Sequence, residues 1–274
     1  MKKIFSLFLL VLAGALLAPS ASLYDQSIAE VLRKEFTSPS LSYLLMDAPT
    51  GTIVAARWDE MNRPVPVGSL VKPFTALAYA QSHDYRYPEL VCRGAADGCW
   101  LPRGHGRISI PEAIAYSCNA YFRKLAAQVS HEDIKQIATH YGIRGPVQSL
   151  TSPDLVGLGH RLEIPPEQIA HAYLELAGHA ASPGIAELLQ GMALSARAGT
   201  ASSIQKSFPG AAALAKTGTA PCLHMPRAPG DGYTIILYPA DSPRWALLVR
   251  EHGVPGAHAA GVAGAMLRTI VTGR

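Results

Sequence analysis

The chain has 274 residues, of which 49% are hydrophobic, and this is enough for one sizeable domain with a buried core. It carries 24 Lys and Arg residues against 20 Asp and Glu residues, and two of the basic residues lie at the N-terminus. Without these two residues the net charge of the chain is close to neutral. This argues against a nucleic-acid partner, because such binding needs a concentrated basic surface.

Residues 1–22 are a predicted signal peptide. Two lysines precede an apolar run from Ile4 to about Ala18, which is short of the roughly 20 residues that span a bilayer. Small residues follow, as at a signal-peptidase site, so we expect an exported, periplasmic or otherwise extracytoplasmic chain whose domain is 23–274. The alternative is an uncleaved segment that anchors the domain to the inner membrane.

Strand patterns lie at both ends of this domain, and helical patterns lie mostly between them. The strands are predicted at 41–46, 52–57, 212–219, 231–238 and 245–251. The helices are predicted at 24–34, 70–81, 110–116, 120–130, 132–141, 166–177, 186–196 and 257–271, with a loop over 83–106. This order indicates an α+β fold in which both termini complete one antiparallel sheet around a helical insertion.

The first motif, Ser69-Leu-Val-Lys72, places a hydroxyl and an amine one helical turn apart. A lysine accepts a serine proton only when it is neutral, so we expect the pKa of Lys72 to be depressed. Burial and a second ammonium group both lower a lysine pKa, and Lys216 is the expected second cation. Taken alone, the pattern more often marks a capped, solvated helix start.

The second motif, Ser117-Cys118-Asn119, falls between two predicted helices. Short polar side chains commonly cap helix ends in such places, and this interpretation would be preferred for the motif in isolation. In a catalytic site, Ser117 would relay a proton toward a leaving group and Asn119 would bond a substrate amide. The side chain at position 118 would then point away from the substrate.

The third motif, Lys216-Thr217-Gly218, lies in a predicted strand, where positions 216 and 218 share a face. Lys216 can offer charge to a substrate carboxylate, and Gly218 would let a substrate backbone approach the strand edge. Thr217 and Thr219 are further predicted substrate contacts. We expect the backbone N–H groups of Ser69 and Thr219 to form an oxyanion hole.

Together the motifs predict a site for acyl transfer. Ser117 and Lys216 follow Ser69 by 48 and 147 residues, and two hydroxyls with two amines can perform this chemistry without a histidine base. The predicted catalytic residues are Ser69, Lys72, Ser117 and Lys216, and neither a metal ligand nor a cofactor is predicted.

The order of these motifs resembles that of the penicillin-binding transpeptidases, class B members above all, and of the related serine β-lactamases. The likeness extends from about residue 42 to the C-terminus, through the segments 68–75, 99–106, 113–122, 157–159, 164–170, 191–192, 199–201 and 216–220. It implies a five-stranded antiparallel sheet flanked by helices, with the nucleophile between the sheet and a helical subdomain.

The resemblance also implies a substrate. A DD-transpeptidase or DD-carboxypeptidase would acylate its serine with the D-Ala-D-Ala end of a peptidoglycan stem peptide and would be trapped by penicillin and other β-lactams. Cell-wall synthesis proteins are possible partners. Two alternatives stay open. One is a β-lactamase, class D-like if a carboxylated Lys72 activates water, or using Glu163 or Glu167, which fall where class A enzymes carry a glutamate. The other is a non-catalytic module that binds β-lactams or muropeptides.

The chain has four cysteines. Cys92 and Cys99 flank a turn-rich loop, and in an exported protein we expect them to form a disulfide. Cys118 and Cys222 adjoin two of the motifs and are interpreted as small buried hydrophobes rather than catalytic thiols. Cys222 and His224 lack further ligands at a spacing suitable for a metal.

Overall fold

The computed structural model describes residues 22–145, 149–222 and 227–273. The predicted signal peptide lies outside these residues, apart from Ser22. Ser22 caps the first helix through a reciprocal pair of hydrogen bonds with Asp25. Within the described ranges, no helix combines the length and apolar character needed to cross a membrane.

A five-stranded antiparallel sheet forms the centre of the molecule. Its order is β2-β1-β9-β8-β7, so strands from both ends of the domain meet in its middle, as predicted. Two further pairs, β3 with β6 and β4 with β5, lie outside it and were not predicted. The strands are β1 Leu41–Asp47, β2 Ile53–Arg57, β3 Val65–Pro66, β4 Leu90–Cys92, β5 Gly106–Ile108, β6 Glu163–Ile164, β7 Leu214–Ala220, β8 Asp231–Tyr238 and β9 Trp245–Glu251.

Both faces of the sheet are covered, because apolar side chains alternate along its central strands. Leu44 and Leu248 point into one core, whereas Leu45 and Val249 point into another. The described helices are α1 Leu23–Glu35, α2 Lys72–Gln81, α3 Ile110–Ala115, α4 Asn119–Ala126, α5 His131–His140, α6 Ser152–Val156, α7 Pro166–Gly178, α8 Ala186–Ala198, α9 Ile204–Ser207 and α10 Gly256–Thr272.

Helices α1 and α10 pack on the outer face of the sheet, and the other face carries the larger helical part that includes α2, α4 and α7. Small buried residues line the sheet-facing side of α10, among them Gly256, Ala259 and Ala263. They let this helix approach the sheet closely, as its composition predicts. The predicted α+β fold is therefore confirmed.

One predicted helix begins differently. The expected helix 70–81 starts as a 3-10 turn over Gly68–Val71 and becomes an α-helix only at Lys72. Pro73 has no N–H to donate, which favours such a change at the first helical turn. Ser69 thus lies in the tighter turn and not in the first turn of an α-helix.

Candidate active site

The turn that carries Ser69 is held against the edge strand β7 by contacts between backbones. Gly68 has a φ of +53°, and an added Cβ would lie 3.0 Å from the nitrogen of Thr219 and closer still to its carbonyl. A Cβ on Gly157 would collide with the carbonyl of Gly68 and the nitrogen of Ser69. Only glycine allows this packing at both positions, so Ser69 is fixed beside the third motif.

Lys72 is fully buried and points to the second motif. Its Nζ donates to the carbonyl oxygen of Ser117 at 2.8 Å and to the side-chain oxygen of Asn119 at 2.7 Å. It also lies 3.1 Å from Ser117 Oγ. Among the described contacts, no hydrogen bond joins Lys72 Nζ to Ser69 Oγ. Catalytic hydrogen bonds are often long before substrate binds.

Ser117 connects the first and third motifs. It lies between α3 and α4 with a φ of +50°, a left-handed conformation that non-glycine residues seldom adopt. Its hydroxyl oxygen also receives a hydrogen bond from Lys216 Nζ at 3.0 Å. Such backbone strain costs roughly 1–3 kcal/mol and persists only where the surroundings enforce it. The hydroxyl is thereby held between two amines.

Lys216 is fully buried on β7, at one edge of the sheet. Besides Ser117, its Nζ bonds the carbonyl oxygen of Thr217 at 2.8 Å. Lys72, Ser117 and Lys216 therefore form one hydrogen-bonded group. Ser69 lies on the turn packed beside β7 and is the most exposed of the four predicted catalytic residues.

Both lysines have depressed pKa values. Burial lowers the pKa of Lys72 to about 7; the Cys118 and Cys99 thiols oppose this effect, whereas Arg123 adds to it. Burial also holds the pKa of Lys216 well below its ordinary range, and Lys72 lowers it further. The depressed pKa predicted for Lys72 is found, but burial and not Lys216 is its main cause.

The predicted substrate-binding residues differ in their burial and in their hydrogen-bond partners. Asn119 is buried at the start of α4, and Thr219 is exposed on β7 with its Oγ1 accepting a hydrogen bond from the Gly256 N–H at 3.0 Å. Thr217 is buried, and its hydroxyl donates to the Thr200 hydroxyl at 2.7 Å. Gly218 and Lys216 do share a face, as predicted.

The role expected for Gly218 is wrong in one respect. A Cβ there would lie 2.8 Å from the carbonyl oxygen of Val67 and 3.1 Å from the side chain of Leu70. Gly218 therefore admits the turn that carries Ser69, so the space on this face of the strand is filled by the protein itself.

Three residues that support the site were not assigned to it from the sequence. Thr200 accepts from Thr217, Gly157 lies against the Ser69 turn, and Tyr173 donates to the carbonyl of Leu70 at 2.8 Å. Gly157 and Thr200 belong to segments that carry the family resemblance, Gly157-Leu-Gly159 and Gly199-Thr-Ala201, and these were the available signal. A buried tyrosine gives no distinguishing signal in a single sequence.

The carboxylates considered for water activation have other neighbours in the structure. Glu163 belongs to β6 and is paired with Pro66 of β3. Glu167 is in the first turn of α7 and lies 3.8 Å from His171. In the described residues, neither carboxylate has a hydrogen bond to Ser69, Lys72 or Ser117.

The predicted disulfide is not formed. Cys92 and Cys99 are free thiols, and both lie close to His105, with Sγ–Nδ1 distances of 3.5 and 3.6 Å. Cys118 Sγ is 3.9 Å from Cys99 Sγ, so the side chain at position 118 faces this group. These four residues are potential metal ligands that sequence reasoning did not bring together, although Cys-x6-Cys-x5-His-x12-Cys was the available signal.

Comparison with known proteins agrees with this geometry. A family model described as the penicillin-binding protein transpeptidase domain matches residues 41–272. No curated protein matches the sequence.

Solved structures share the fold at low sequence identity. The transpeptidase domain of Burkholderia pseudomallei penicillin-binding protein 3 has a TM-score of 0.68 and 18% identity, with 91% of each chain covered. Pseudomonas aeruginosa PBP2 has a TM-score of 0.72 and 18% identity, covering 90% of this chain and 73% of that one. A D,D-transpeptidase domain from Eggerthella lenta has a TM-score of 0.69 and 14% identity, covering 90% and 81%. The match of the family model over most of the sequence shows that this chain belongs to the penicillin-binding protein transpeptidase domain family.

Proposed function

We propose that this protein is an exported serine acyl-transferase that acts on the D-Ala-D-Ala ends of peptidoglycan stem peptides and is acylated by penicillin at Ser69. One observation carries the proposal. The Ser117 hydroxyl lies 3.1 Å from Lys72 Nζ and 3.0 Å from Lys216 Nζ, beside the turn that presents Ser69. Family membership makes peptidoglycan the substrate class to test first.

In the first step, Ser69 Oγ attacks the carbonyl carbon of the penultimate D-Ala, and neutral Lys72 takes the hydroxyl proton. The tetrahedral intermediate collapses with cleavage of the C–N bond. Ser117 passes a proton to the leaving amine of the terminal D-Ala, and Lys72 or Lys216 replaces the proton of Ser117. The acyl group then moves from Ser69 to an amine, or to water in a carboxypeptidase.

Substrate groups have partners around this centre. The backbone N–H groups of Ser69 and Thr219 remain our predicted oxyanion donors, and removal of one such donor typically costs about 2.7–4 kcal/mol in catalysis. The NH2 end of the Asn119 amide can bond a substrate carbonyl, since its oxygen is held by Lys72. An extended peptide can pair with the open edge of β7. The turn that carries Ser69 packs on the face of this strand at Gly218 and leaves its edge free.

The surroundings of Lys72 disfavour a β-lactamase of the class D type. A carboxylated lysine is an anion, and around Nζ lie the carbonyl oxygen of Ser117 and the amide oxygen of Asn119. These acceptors stabilise an ammonium group and would repel a carbamate. Nothing in the described residues supports Glu163 or Glu167 as a replacement base, since neither carboxylate has a hydrogen bond to Ser69, Lys72 or Ser117 there.

Export to the periplasm is part of the proposal and is supported by the lysines and the apolar run at the N-terminus. Anchoring to the inner membrane is the variant of this proposal in which the segment is not cleaved. The peptidoglycan substrate lies outside the cytoplasm, so either form would give the site access to it.

The deciding experiment is intact mass spectrometry of the protein after mixing with penicillin, followed over time for wild type and Ser69→Ala. We expect a lasting adduct of one penicilloyl group on wild type and none on Ser69→Ala, with unchanged thermal unfolding. Two results together would overturn the proposal in favour of a β-lactamase. They are a penicilloyl adduct that disappears with time, and hydrolysis of nitrocefin at more than about 1 turnover per second, a typical enzymatic speed. Absence of any adduct on folded wild type would favour a binding module.

A second measurement separates the acyl acceptors. A synthetic stem peptide ending in D-Ala-D-Ala is incubated with the protein, with and without an added amine, and free D-Ala and products are followed by mass. A crosslinked product identifies a transpeptidase, whereas a shortened peptide alone identifies a carboxypeptidase.

A further inference from the structure

A group of three thiols and one imidazole lies directly behind the second motif. It consists of Cys92, Cys99, His105 and Cys118, here called the Cys3His cluster, and its ligand atoms all lie within 4.8 Å of one another. The three cysteines are buried, with at most 8% of their surface exposed. The proposed acyl transfer assigns no role to these side chains.

Three of the six distances among the sulfur and nitrogen atoms match a tetrahedral zinc site, and all six lie within 4.8 Å. Zinc binds thiolate sulfur at about 2.3 Å and imidazole nitrogen at about 2.0–2.1 Å, so a tetrahedron has edges of about 3.8 Å between sulfurs and about 3.6 Å between sulfur and nitrogen. The structure has 3.9 Å between Cys99 and Cys118, and 3.5 and 3.6 Å from His105 Nδ1 to Cys92 and Cys99.

Among the described residues, the ring nitrogens of His105 have no hydrogen-bond partner other than thiol sulfur. Its Nδ1 faces only the two sulfurs, and its Nε2 is buried without a hydrogen-bond partner. The ring is stacked on Tyr116 and packs edge-on against Trp100, with centroid distances of 5.7 Å in both cases. These aromatic contacts hold the ring with Nδ1 toward the thiols, the orientation that a metal bound at Nδ1 requires.

The backbone around the cluster is folded tightly to bring the ligands together. Cys92 at the end of β4 is paired with Gly106 of β5, which places His105 next to it. A Cβ on Gly94 or Gly104 would collide with neighbouring backbone, so the loop between the two strands closes only with glycine there. Cys118 completes the set from the N-cap of α4.

We propose that the Cys3His cluster is a structural zinc site that fixes the Ser117–Asn119 segment against Lys72. Three soft thiolates and one imidazole form a closed four-ligand set, which leaves no open position for catalysis and is typical of structural zinc. Binding displaces the three thiol protons to solvent, so each chain takes up one Zn²⁺ and releases three protons from its cysteines.

Cys118 is the connection between the metal site and the chemistry. It is flanked by Ser117, whose φ is left-handed, and by Asn119, and both of these residues bond Lys72. A ligand bond at Cys118 would resist relaxation of this strained segment. The consequence for acylation rests on the proposed function, whereas the metal site itself does not.

The test is metal analysis of the purified protein after reduction and reconstitution with zinc, for wild type, Cys92→Ser, His105→Ala and the matched control Cys222→Ser. Cys222 is the one cysteine of the sequence outside the cluster; the structure brings it near Asp231 and His252, ligands that its sequence spacing did not indicate, so this variant also reports any zinc held there. We expect about one zinc per chain in wild type and Cys222→Ser, and less than about a tenth of this in the two ligand variants. Cobalt(II) added to metal-free wild type should give the intense visible bands of tetrahedral thiolate coordination, a readout that does not depend on the variants folding.

Several results would overturn the metal site. They are wild type that takes up no zinc, a Cys92→Ser variant that keeps the wild-type stoichiometry and cobalt spectrum, or a Cys92–Cys99 disulfide in protein isolated from its native compartment.

Penicillin acylation is then measured after chelation and after zinc is restored. A reversible loss of about 10-fold or more supports the coupling to Ser117, and an unchanged rate overturns it. Zinc uptake without any acylation of wild type would refute the proposed function and leave the metal site intact.

Discussion

The side-chain nitrogen of Lys216 lies 3.0 Å from the hydroxyl oxygen of Ser117, although 99 positions separate them in the sequence. The same oxygen lies 3.1 Å from Lys72 Nζ, so a single hydroxyl joins two buried amines. A proton can therefore pass between the first and third motifs without crossing bulk water. Ser117 is the member of the group whose removal breaks this connection.

We expect Ser117→Ala to slow penicillin acylation of Ser69 by about 10²–10⁴-fold, the usual contribution of a positioned proton-transfer group. The measurement is the rate of adduct formation, by rapid quenching and intact mass spectrometry. Ser242→Ala, in an exposed loop, is the matched control and should react like wild type. A Ser117→Ala rate close to that of wild type would show that protons move by another route.

The acylation rate should rise with pH. Burial lowers the pKa of Lys72 from 10.5 to about 7, so this amine is protonated below that value and able to accept the Ser69 proton above it. Because the neutral form is the base, we expect half-maximal acylation near pH 7 and a plateau at higher pH. The two lysines interact, so the profile reports the pair. A rate that is flat or falls between about pH 5 and pH 9 would argue against Lys72 as the base.

Gly68→Ala should lower the free energy of unfolding and reduce acylation. Its left-handed φ costs an alanine about 1–2 kcal/mol, and the clash of the new Cβ with the Thr219 backbone adds about 1–3 kcal/mol. Gly142→Ala is the matched control, since its φ is +64° and an added Cβ meets nothing within 4 Å. Denaturant unfolding should show the larger loss for Gly68→Ala; equal losses would mean that the turn is free to move away from β7.

Tyr173→Phe should destabilise the turn that carries Ser69, because it removes a hydrogen bond to the backbone of that turn. The Tyr173 side chain is fully buried and donates to the carbonyl oxygen of Leu70 at 2.8 Å, so its removal leaves that carbonyl without this partner. We expect a loss of about 1–3 kcal/mol in the free energy of unfolding, with slower acylation.

Tyr24→Phe is the control for this prediction. Tyr24 is 55% exposed and its hydroxyl lies 3.4 Å from the Ile270 carbonyl, so its effect should stay within about 0.5 kcal/mol. A Tyr173→Phe variant as stable as this control would show that solvent or a neighbour replaces the lost bond.

Most of the sheet was predictable because its strands carry their own signals. β8 and β9 were placed with the observed bounds, and α10 within one residue at each end, since alternation and small-residue composition are local properties. The 3-10 turn at Ser69 and the short helix α6 were not predicted. They depend on contacts such as that of Gly157 with Gly68, which join segments far apart in the chain.

The amino-acid sequence by itself determined which polar groups this protein has for acyl transfer, and in what order, because residue type and spacing are enough to define the three motifs. Only the tertiary structure decided how these groups are paired. Lys72 bonds Ser117 and Asn119 rather than Ser69, and Cys99 faces His105 and Cys118 rather than closing a disulfide with Cys92. The reason is geometric: a hydrogen bond or a ligand contact is made over about 3–4 Å, and only the packing of distant elements brings the right atoms within that range.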